Sequence, residues 1–137
     1  MHRARFIVLS VGNRSSTYGS DEHDPTISWL LVSPNNRPLG RGCTTFDTYE
    51  ACREAVHRLR EWVTRATSTV AVADANRQWG WRVELDGAPI AVSTRTYLRQ
   101  RECDYNLKRF MEAIPSAELA SAVRVIANGP KRRVGPL

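Results

Sequence analysis

Residues 79–92 read WGWRVELDGAPIAV, and this stretch decides the fold. The alternate positions from Trp79 to Leu85 hold Trp, Trp, Val and Leu, so a β-strand places these four side chains on one face. Asp86-Gly87 follows, and both residues tolerate the positive φ angles of a tight hairpin turn. The stretch therefore predicts a hairpin with one strand over 79–85 and a second over 89–94.

The tryptophans of this strand allow two interpretations. An aromatic ring on an uncovered sheet face, beside Arg5 and Arg82, would form a stacking surface for single-stranded nucleic acid. However, Trp79 and Trp81 share their face with two aliphatic residues, which is typical of a face buried under helices. We therefore predict that both tryptophans lie in the core, and that the open face carries Arg82 and its neighbour Glu84.

An earlier stretch, ISWLLVSPNNRPLGRG at 27–42, carries the same order of signals. At an offset of 51 positions, similar residues coincide in the two stretches and in the segments after them. These matches predict a duplicated unit of about fifty residues, with one repeat over about 3–68 and the other over 69–127. The matched pairs include Pro38 with Pro89, Phe46 with Tyr97, Cys52 with Cys103, Arg58 with Arg109 and Leu59 with Phe110.

Each repeat is predicted to contain three strands and then one helix. The first strand of each repeat is rich in branched apolar residues, and the third begins at a proline. The predicted strands are 3–11, 27–33 and 38–43 in the first repeat, and 69–74, 79–85 and 89–94 in the second.

Both predicted helices have a single apolar stripe with spacings of three and four residues. Asp47 with Glu50 is a candidate capping pair for the first helix, whereas the second has Leu98 at the equivalent position. Pro115 is expected to end the second helix near Ala113 or Ile114. The stripes are Tyr49, Cys52, Val56, Leu59 and Val63, and then Cys103, Leu107, Phe110 and Ile114.

Two segments have no counterpart in the other repeat. Residues 12–26 are polar and rich in turn-forming types, which predicts an inserted loop. Residues 128–137 hold two Gly-Pro pairs around three basic residues, which predicts a flexible basic tail. Because the longest apolar runs are four residues, we expect no membrane-spanning segment and a cytoplasmic protein.

The doubled pattern of aromatic-rich strand, Asn- or Asp-containing turn, Pro-Leu-Gly or Pro-Ile-Ala strand, and helix with Cys in its first turn resembles the YegP-like tandem-repeat proteins. The resemblance covers roughly residues 3–127. It implies an α+β fold in which two β-β-β-α(-β) repeats exchange their final strands and form one antiparallel sheet with two helices packed on one face. Residues 69–73 would be the shared strand, and 122–127 would close the second repeat. The family has no established activity, so the resemblance assigns no functional residue.

The chain is basic, with a net charge of +6, and its charge is concentrated at the two ends. Residues 1–14 and 124–137 hold basic residues and no acid. Lys108 and Lys131 are the only lysines, so GC-rich coding is the simpler explanation for the high arginine content. The other explanation is function, because arginine grips phosphate and carboxylate groups with two hydrogen bonds. On that hypothesis the residues that contact nucleic acid or an acidic protein are Arg3, Arg5, Arg82, Arg124, Lys131, Arg132 and Arg133.

The reactive residue types do not have the spacing of a known site. Cys43, Cys52 and Cys103 lack the Cys-x-x-Cys spacing of zinc or redox sites, and the last two occupy equivalent stripe positions, which favours packing. Asp21–Asp24 offers metal-ligand atoms without the spacing of a dedicated calcium or zinc loop. Nucleotide-binding, hydrolase and metalloprotease motifs are absent from the sequence. We therefore predict no metal, no cofactor and no catalytic residue.

Three functions agree with these patterns. The first is a noncatalytic binding or accessory module that contacts nucleic acid or another acidic partner through its basic ends. The second is a structural module in which edge strands recruit a partner strand or a second copy of the chain, giving a homodimer. The third, which we favour least, is an enzyme whose residues come from the 12–26 loop.

Overall fold

The computed structural model describes residues 3–11, 26–72 and 77–126. These residues form seven strands, two α-helices of 14 residues each, and a short 3₁₀ turn after each helix. The elements are β1 (Arg5–Val11), β2 (Ile27–Val32), β3 (Pro38–Gly42), α1 (Tyr49–Trp62), β4 (Thr67–Val72), β5 (Trp79–Leu85), β6 (Ala88–Val92), α2 (Gln100–Ala113) and β7 (Glu118–Ile126), with 3₁₀ turns at Val63–Arg65 and Ile114–Ser116.

All seven strands join one sheet in the order β4-β5-β6-β3-β2-β1-β7. β3 pairs with β6, and the order β4-β5-β6 on one side of this junction mirrors β3-β2-β1 on the other, with β7 added outside β1. The predicted α+β class is confirmed. The predicted loop over 12–26 and the tail over 128–137 fall outside the described residues, except for Thr26.

The expectation of a fully antiparallel sheet is wrong for one pair, because β7 runs parallel to β1. Topology explains the difference. After α1 the chain enters β4, which lies antiparallel to β5. The corresponding place beside β2 is already occupied by β1, so β7 lies one position farther out. If β7 lay beside β2, it would run antiparallel to β2, just as β1 does. β7 therefore has the same direction as β1, and because it pairs with β1 the sheet is mixed.

Strand β7 begins at Glu118, four residues before the predicted start, because three hydrogen bonds hold residues 117–120. The Glu118 amide donates to the carbonyl of Ala4 at 3.0 Å. The Tyr49 hydroxyl, on α1, donates to the carbonyl of Ala120 at 2.8 Å. The Arg60 guanidinium, also on α1, donates to the carbonyl of Ala117. These bonds depend on residues far away in sequence, which local patterns do not reveal.

The core lies between one face of the sheet and both helices. Its centre is a cluster of rings in which Phe110 contacts Trp81 and Trp29, with ring centroids 4.6 and 6.3 Å apart, and Phe6 meets Trp29 edge-on. Trp81 is 3% exposed, Val83 is fully buried, and Trp79 is partly buried against the core, so the predicted face of β5 is confirmed at these positions. Leu85 departs from the prediction: the pairing of β5 with β6 shifts register after Val83, and Leu85 is partly exposed beyond the shift.

Local signals fix most element ends. Thr48, one residue after the predicted cap Asp47, is the N-cap of α1, and its hydroxyl accepts a hydrogen bond from the Ala51 amide at 3.1 Å. Helix α2 begins without a side-chain cap and ends at Ala113, two residues before Pro115, as predicted. Among the described helices, none is long and apolar enough to cross a membrane.

Candidate functional site

Three of the predicted contact residues lie at one edge of the sheet. Arg3 precedes β1, and Arg5 is the first residue of β1. Arg124 lies on the neighbouring strand β7, opposite Leu9 of β1. The Arg3 guanidinium lies 4.0 Å from the carboxylate of Glu118, and Arg5 donates a hydrogen bond to the side-chain oxygen of Asn36. The other predicted contact residues near the C-terminus are Lys131, Arg132 and Arg133, and they lie outside the described residues.

Arg82 does not join this group. It lies on β5, and three strands lie between β5 and β1. The two backbones are therefore four strand spacings apart, which at about 4.8 Å per spacing is roughly 19 Å. Its Nε atom lies 2.9 Å from a carboxylate oxygen of Glu84, so the predicted pair on the open face is an ion pair. The structure therefore spreads the predicted contact residues along the sheet.

The face of the sheet opposite the helices, which we call the open sheet face, carries a second arginine near Arg82. Arg41 of β3 and Arg82 of β5 both pair with Val92 of β6, so the two arginines flank one aliphatic residue in a single row. The row continues through Leu30 and Ile7 on β2 and β1. Because Trp29 and Trp81 are buried on the helix side, this row holds no tryptophan, and the stacking-surface interpretation is wrong for these residues.

Two of the cysteines are buried, as expected of residues that serve packing. Cys52 and Cys103 are fully buried on the two helices, and burial raises the pKa of each thiol to about 11. Cys43 follows β3 and is only partly buried. Burial raises its pKa too, while the nearby guanidinium groups of Arg41 and Arg82 act in the opposite direction.

A groove beside α2, which the sequence did not indicate, is lined by three further arginines, Arg37, Arg95 and Arg109. We call it the α2 groove. It is lined by the start of β3 at 37–39, by the loop 94–97 before α2, and by the exposed side of α2 over 102–109. Its cavity volume is about 840 Å³, within the range of small-molecule sites.

Hydrogen bonds in the two loops position the groove residues. The buried Ser33 hydroxyl accepts from the amides of Asn35 and Arg37 at 3.2 and 3.1 Å, which fixes the turn that presents Arg37. Tyr97 exchanges backbone hydrogen bonds of 2.7 and 2.8 Å with Trp79, which ties the loop before α2 to the start of β5. The groove walls are therefore held by the fold itself.

Aromatic rings and amide groups accompany the arginines. The Arg95 guanidinium lies 5.6 Å from the centre of the Tyr97 ring, and that of Arg109 lies 6.0 Å from the Tyr105 ring. The side-chain oxygen of Asn106 accepts a hydrogen bond from Trp81 Nε1 at 2.5 Å, and among the described residues the two Asn106 N–H groups have no acceptor. The groove thus offers charged donors, neutral donors and aromatic surfaces together.

The electrostatics of the groove favour an anion. Within the described part of the chain, Arg37, Arg95 and Arg109 form no ion pair, whereas the only acid of the lining, Glu102, lies 3.8 Å from the guanidinium of Arg99. Burial raises the pKa of the Tyr97 phenol, so Tyr97 is neutral at physiological pH. The lining therefore has a net positive charge.

A second, apolar groove occupies the equivalent place beside α1. It has a volume of about 250 Å³ and is lined by the loop 44–46, the strand start 88–90 and part of α1. At the offset of 51 positions, Arg58 coincides with Arg109. Two further positions are similar, Pro38 with Pro89 and Leu39 with Ile90, whereas Ala88, Thr44, Phe46 and Ala55 stand where the α2 groove has Arg37, Arg95, Tyr97 and Asn106. Positions that differ in polarity at this offset would have marked these residues in the sequence, although not their proximity.

Comparison with solved structures identifies the fold. The solution structure of YegP from E. coli, a protein of unknown function, matches with a TM-score of 0.61 and 9% sequence identity, over 94% of this chain and 97% of YegP. The chain has the fold of YegP. The UPF0339 protein SO3888 from Shewanella oneidensis matches with a TM-score of 0.59 and 11% identity, over 96% of this chain and 98% of SO3888. No protein-family model and no curated protein sequence matches the chain.

Proposed function

We propose that the chain is a noncatalytic binding module for an acidic partner, and that this partner is nucleic acid. The observation that carries the proposal is the row on the open sheet face in which Arg41 and Arg82 flank Val92. Both arginines are exposed, and no described helix lies over this face. Guanidinium groups on a regular strand lattice suit a partner with repeated phosphate charges.

The basic ends extend this surface. Arg5 and Arg124 belong to the two strands at one side of the same sheet, and Arg3 lies two residues before the first of them. Alternation along β1 puts Arg5 on the open sheet face, opposite the buried Phe6. We infer that Lys131, Arg132 and Arg133, which follow β7, add phosphate contacts at this side. Each contact would contribute to salt-dependent affinity without regard to base sequence.

Salt titration tests the proposal. The full chain and an Arg41→Ala/Arg82→Ala variant are titrated against a fluorescent random-sequence DNA by anisotropy at several salt concentrations. We expect the slope of log K against log salt to fall by about 0.9 for each phosphate contact removed. Arg53→Ala/Arg101→Ala, which removes the same charge from exposed helix positions, is the matched control. Equal slopes for both double variants would refute the assignment to the open sheet face.

Removal of residues 128–137 tests the contribution of the tail separately. We expect a smaller slope and weaker binding than in the full chain, because three cations are lost. Binding that is unchanged by truncation would limit the contact surface to the sheet.

We further infer that the chain is a YegP-like protein built from two repeats, over about 3–68 and 69–127. The mirrored strand order supports this inference, as do two isolated bridges at equivalent places, Ile27 with Phe46 and Trp79 with Tyr97. The paired grooves beside α1 and α2 agree with it as well.

A second candidate function is self-association through β4. This strand lies at one edge of the sheet, and its sequence, TSTVAV, has no charge and no proline to discourage pairing. Val72 at its end is 43% exposed. Light scattering over a range of concentrations tests this candidate, with Thr69→Lys as the variant that should prevent pairing. A chain that is monomeric at every concentration would exclude a homodimer.

The enzyme hypothesis depends on the 12–26 loop, of which only Thr26 is described.

A further inference from the structure

We propose that the α2 groove is a binding site for a nucleoside phosphate, with the phosphate held by Arg37, Arg95 and Arg109 and the base held against the tyrosine rings. This site lies on the helix side of the sheet, so it is distinct from the open sheet face and does not depend on the function proposed for that face.

The fold does not require arginines at these positions. The α1 groove is likewise lined by a helix and by the start of a strand. There, Ala88 and Thr44 stand at the positions that correspond to Arg37 and Arg95 at the offset of 51. The arginines of the α2 groove are thus explained by a ligand and not by packing.

Three arginines, Arg37, Arg95 and Arg109, line one groove and have no carboxylate partner in the described residues. An anion bound in the groove would balance their charges. Arginine binds phosphate through two parallel hydrogen bonds, which makes these contacts directional as well as charged.

The groove also holds aromatic and amide groups, which a bare anion site does not require. Tyr105 is 63% exposed although it is a large ring, and the guanidinium planes near Tyr97 and Tyr105 supply further flat surfaces. Nucleobases stack on such surfaces. The N–H groups of Asn106, for which the described residues provide no acceptor, are suited to an acceptor on the edge of a base. Together these groups favour a nucleotide over an acidic peptide.

The test uses the full ¹⁵N-labelled chain titrated with adenosine 5′-monophosphate, and in separate arms with adenosine and with inorganic phosphate. We expect saturable shifts in the amide signals of the 37–39 and 94–97 segments and of α2. The monophosphate should bind at least tenfold more tightly than either fragment, because both halves of the ligand contribute contacts.

Matched variants locate the site. Arg109→Ala should raise the Kd of the monophosphate about tenfold or more, whereas Arg58→Ala, at the equivalent position of the α1 groove, should leave it unchanged. Both residues are exposed, and unfolding curves verify that both variants fold. Tyr105→Ala should weaken the monophosphate and leave phosphate binding unaltered.

Three results would overturn the proposal: no shifts in the groove at millimolar ligand, equal effects of Arg58→Ala and Arg109→Ala, or phosphate binding as tightly as the monophosphate. A glutamate-rich peptide is titrated as a further arm. If this peptide shifts the groove signals and the monophosphate does not, the groove binds acidic proteins and the nucleotide proposal is overturned. Arg41→Ala/Arg82→Ala separates the two proposals, since it should weaken DNA binding and leave binding of the monophosphate intact.

Discussion

A methyl group at Gly40 has no space, and this makes Gly40→Ala a direct test of the core. Gly40 lies on β3 beneath the ring cluster. A Cβ atom there would lie 2.5 Å from Phe110 Cδ1 and 2.6 Å from both Phe110 Cε1 and Trp81 Cη2. Carbon atoms in contact are ordinarily about 3.5–4.0 Å apart, so the methyl group overlaps both rings by roughly 1 Å.

Neither ring can move aside without disturbing others. Phe110 is fully buried, Trp81 is 3% exposed, and their centroids are 4.6 Å apart. Overpacking in such a core costs about 1–3 kcal/mol, and overlap with two fixed rings places Gly40→Ala at the upper end, near 3 kcal/mol. For a chain of this length that corresponds to a fall in Tm of about 10 °C.

Urea unfolding followed by tryptophan fluorescence measures the loss, because Trp29 and Trp81 become exposed on unfolding. Gly80→Ala is the control: its Cβ would meet Ser93 Oγ at 3.3 Å, a contact that a small side-chain movement relieves. We expect the control to change stability by less than about 0.5 kcal/mol. If Gly40→Ala is as stable as Gly80→Ala, the described packing around β3 is wrong. Combining Gly40→Ala with Phe110→Leu should cost less than the sum of the single changes, since the smaller side chain makes room.

Three further predictions follow from the caps and the thiols. Thr48→Ala should lower the free energy of unfolding by about 1 kcal/mol, because the helix cap is lost. Urea unfolding should show a smaller loss for Asp47→Ala. A larger loss for Asp47→Ala would show that Asp47 is the cap. A thiol reagent at pH 8 should modify Cys43 in the native protein and reach Cys52 and Cys103 only after unfolding, a difference that mass spectrometry detects; equal rates for the three would contradict the described burial. Because the folded-state pKa of Cys52 and of Cys103 is raised to about 11 from 9.0, their contribution to stability is fully present below pH 9 and is lost as the pH rises towards 11. Urea midpoints measured across this range should fall, and should fall less steeply in a Cys52→Ala/Cys103→Ala variant; an identical slope would show that these thiols are not the cause.

Local patterns predicted the elements well because each depends on neighbouring residues. Alternation identified β5, the Asp86-Gly87 turn has the positive φ angles that its residues favour, and Pro115 marks the end of α2. The early start of β7 and its parallel pairing were not predictable in this way. They depend on Tyr49, Arg60 and the occupied place beside β2, which the sequence does not show to be near one another.

The same limit applies to the site. The predicted contact residues come from the two ends of the chain and from Arg82, and the structure places Arg82 four strand spacings away from Arg5. The α2 groove, in contrast, combines segments that begin at residues 37, 94 and 102. No local pattern joins these segments, because their proximity arises from the pairing of β3 with β6 at the centre of the sheet.

Coding bias and function make different predictions about where the arginines lie. A bias in composition acts on the whole chain alike, so it would place arginines in the two grooves about equally often. The α2 groove has Arg37, Arg95 and Arg109, whereas the α1 groove has Arg58 alone. The α1 groove has Ala88 and Thr44 at the positions that correspond to Arg37 and Arg95 at the offset of 51. A general excess of arginine therefore accounts for the net charge of +6 but not for the difference between the grooves. That difference is the reason to look for a ligand beside α2 before any other surface of the molecule.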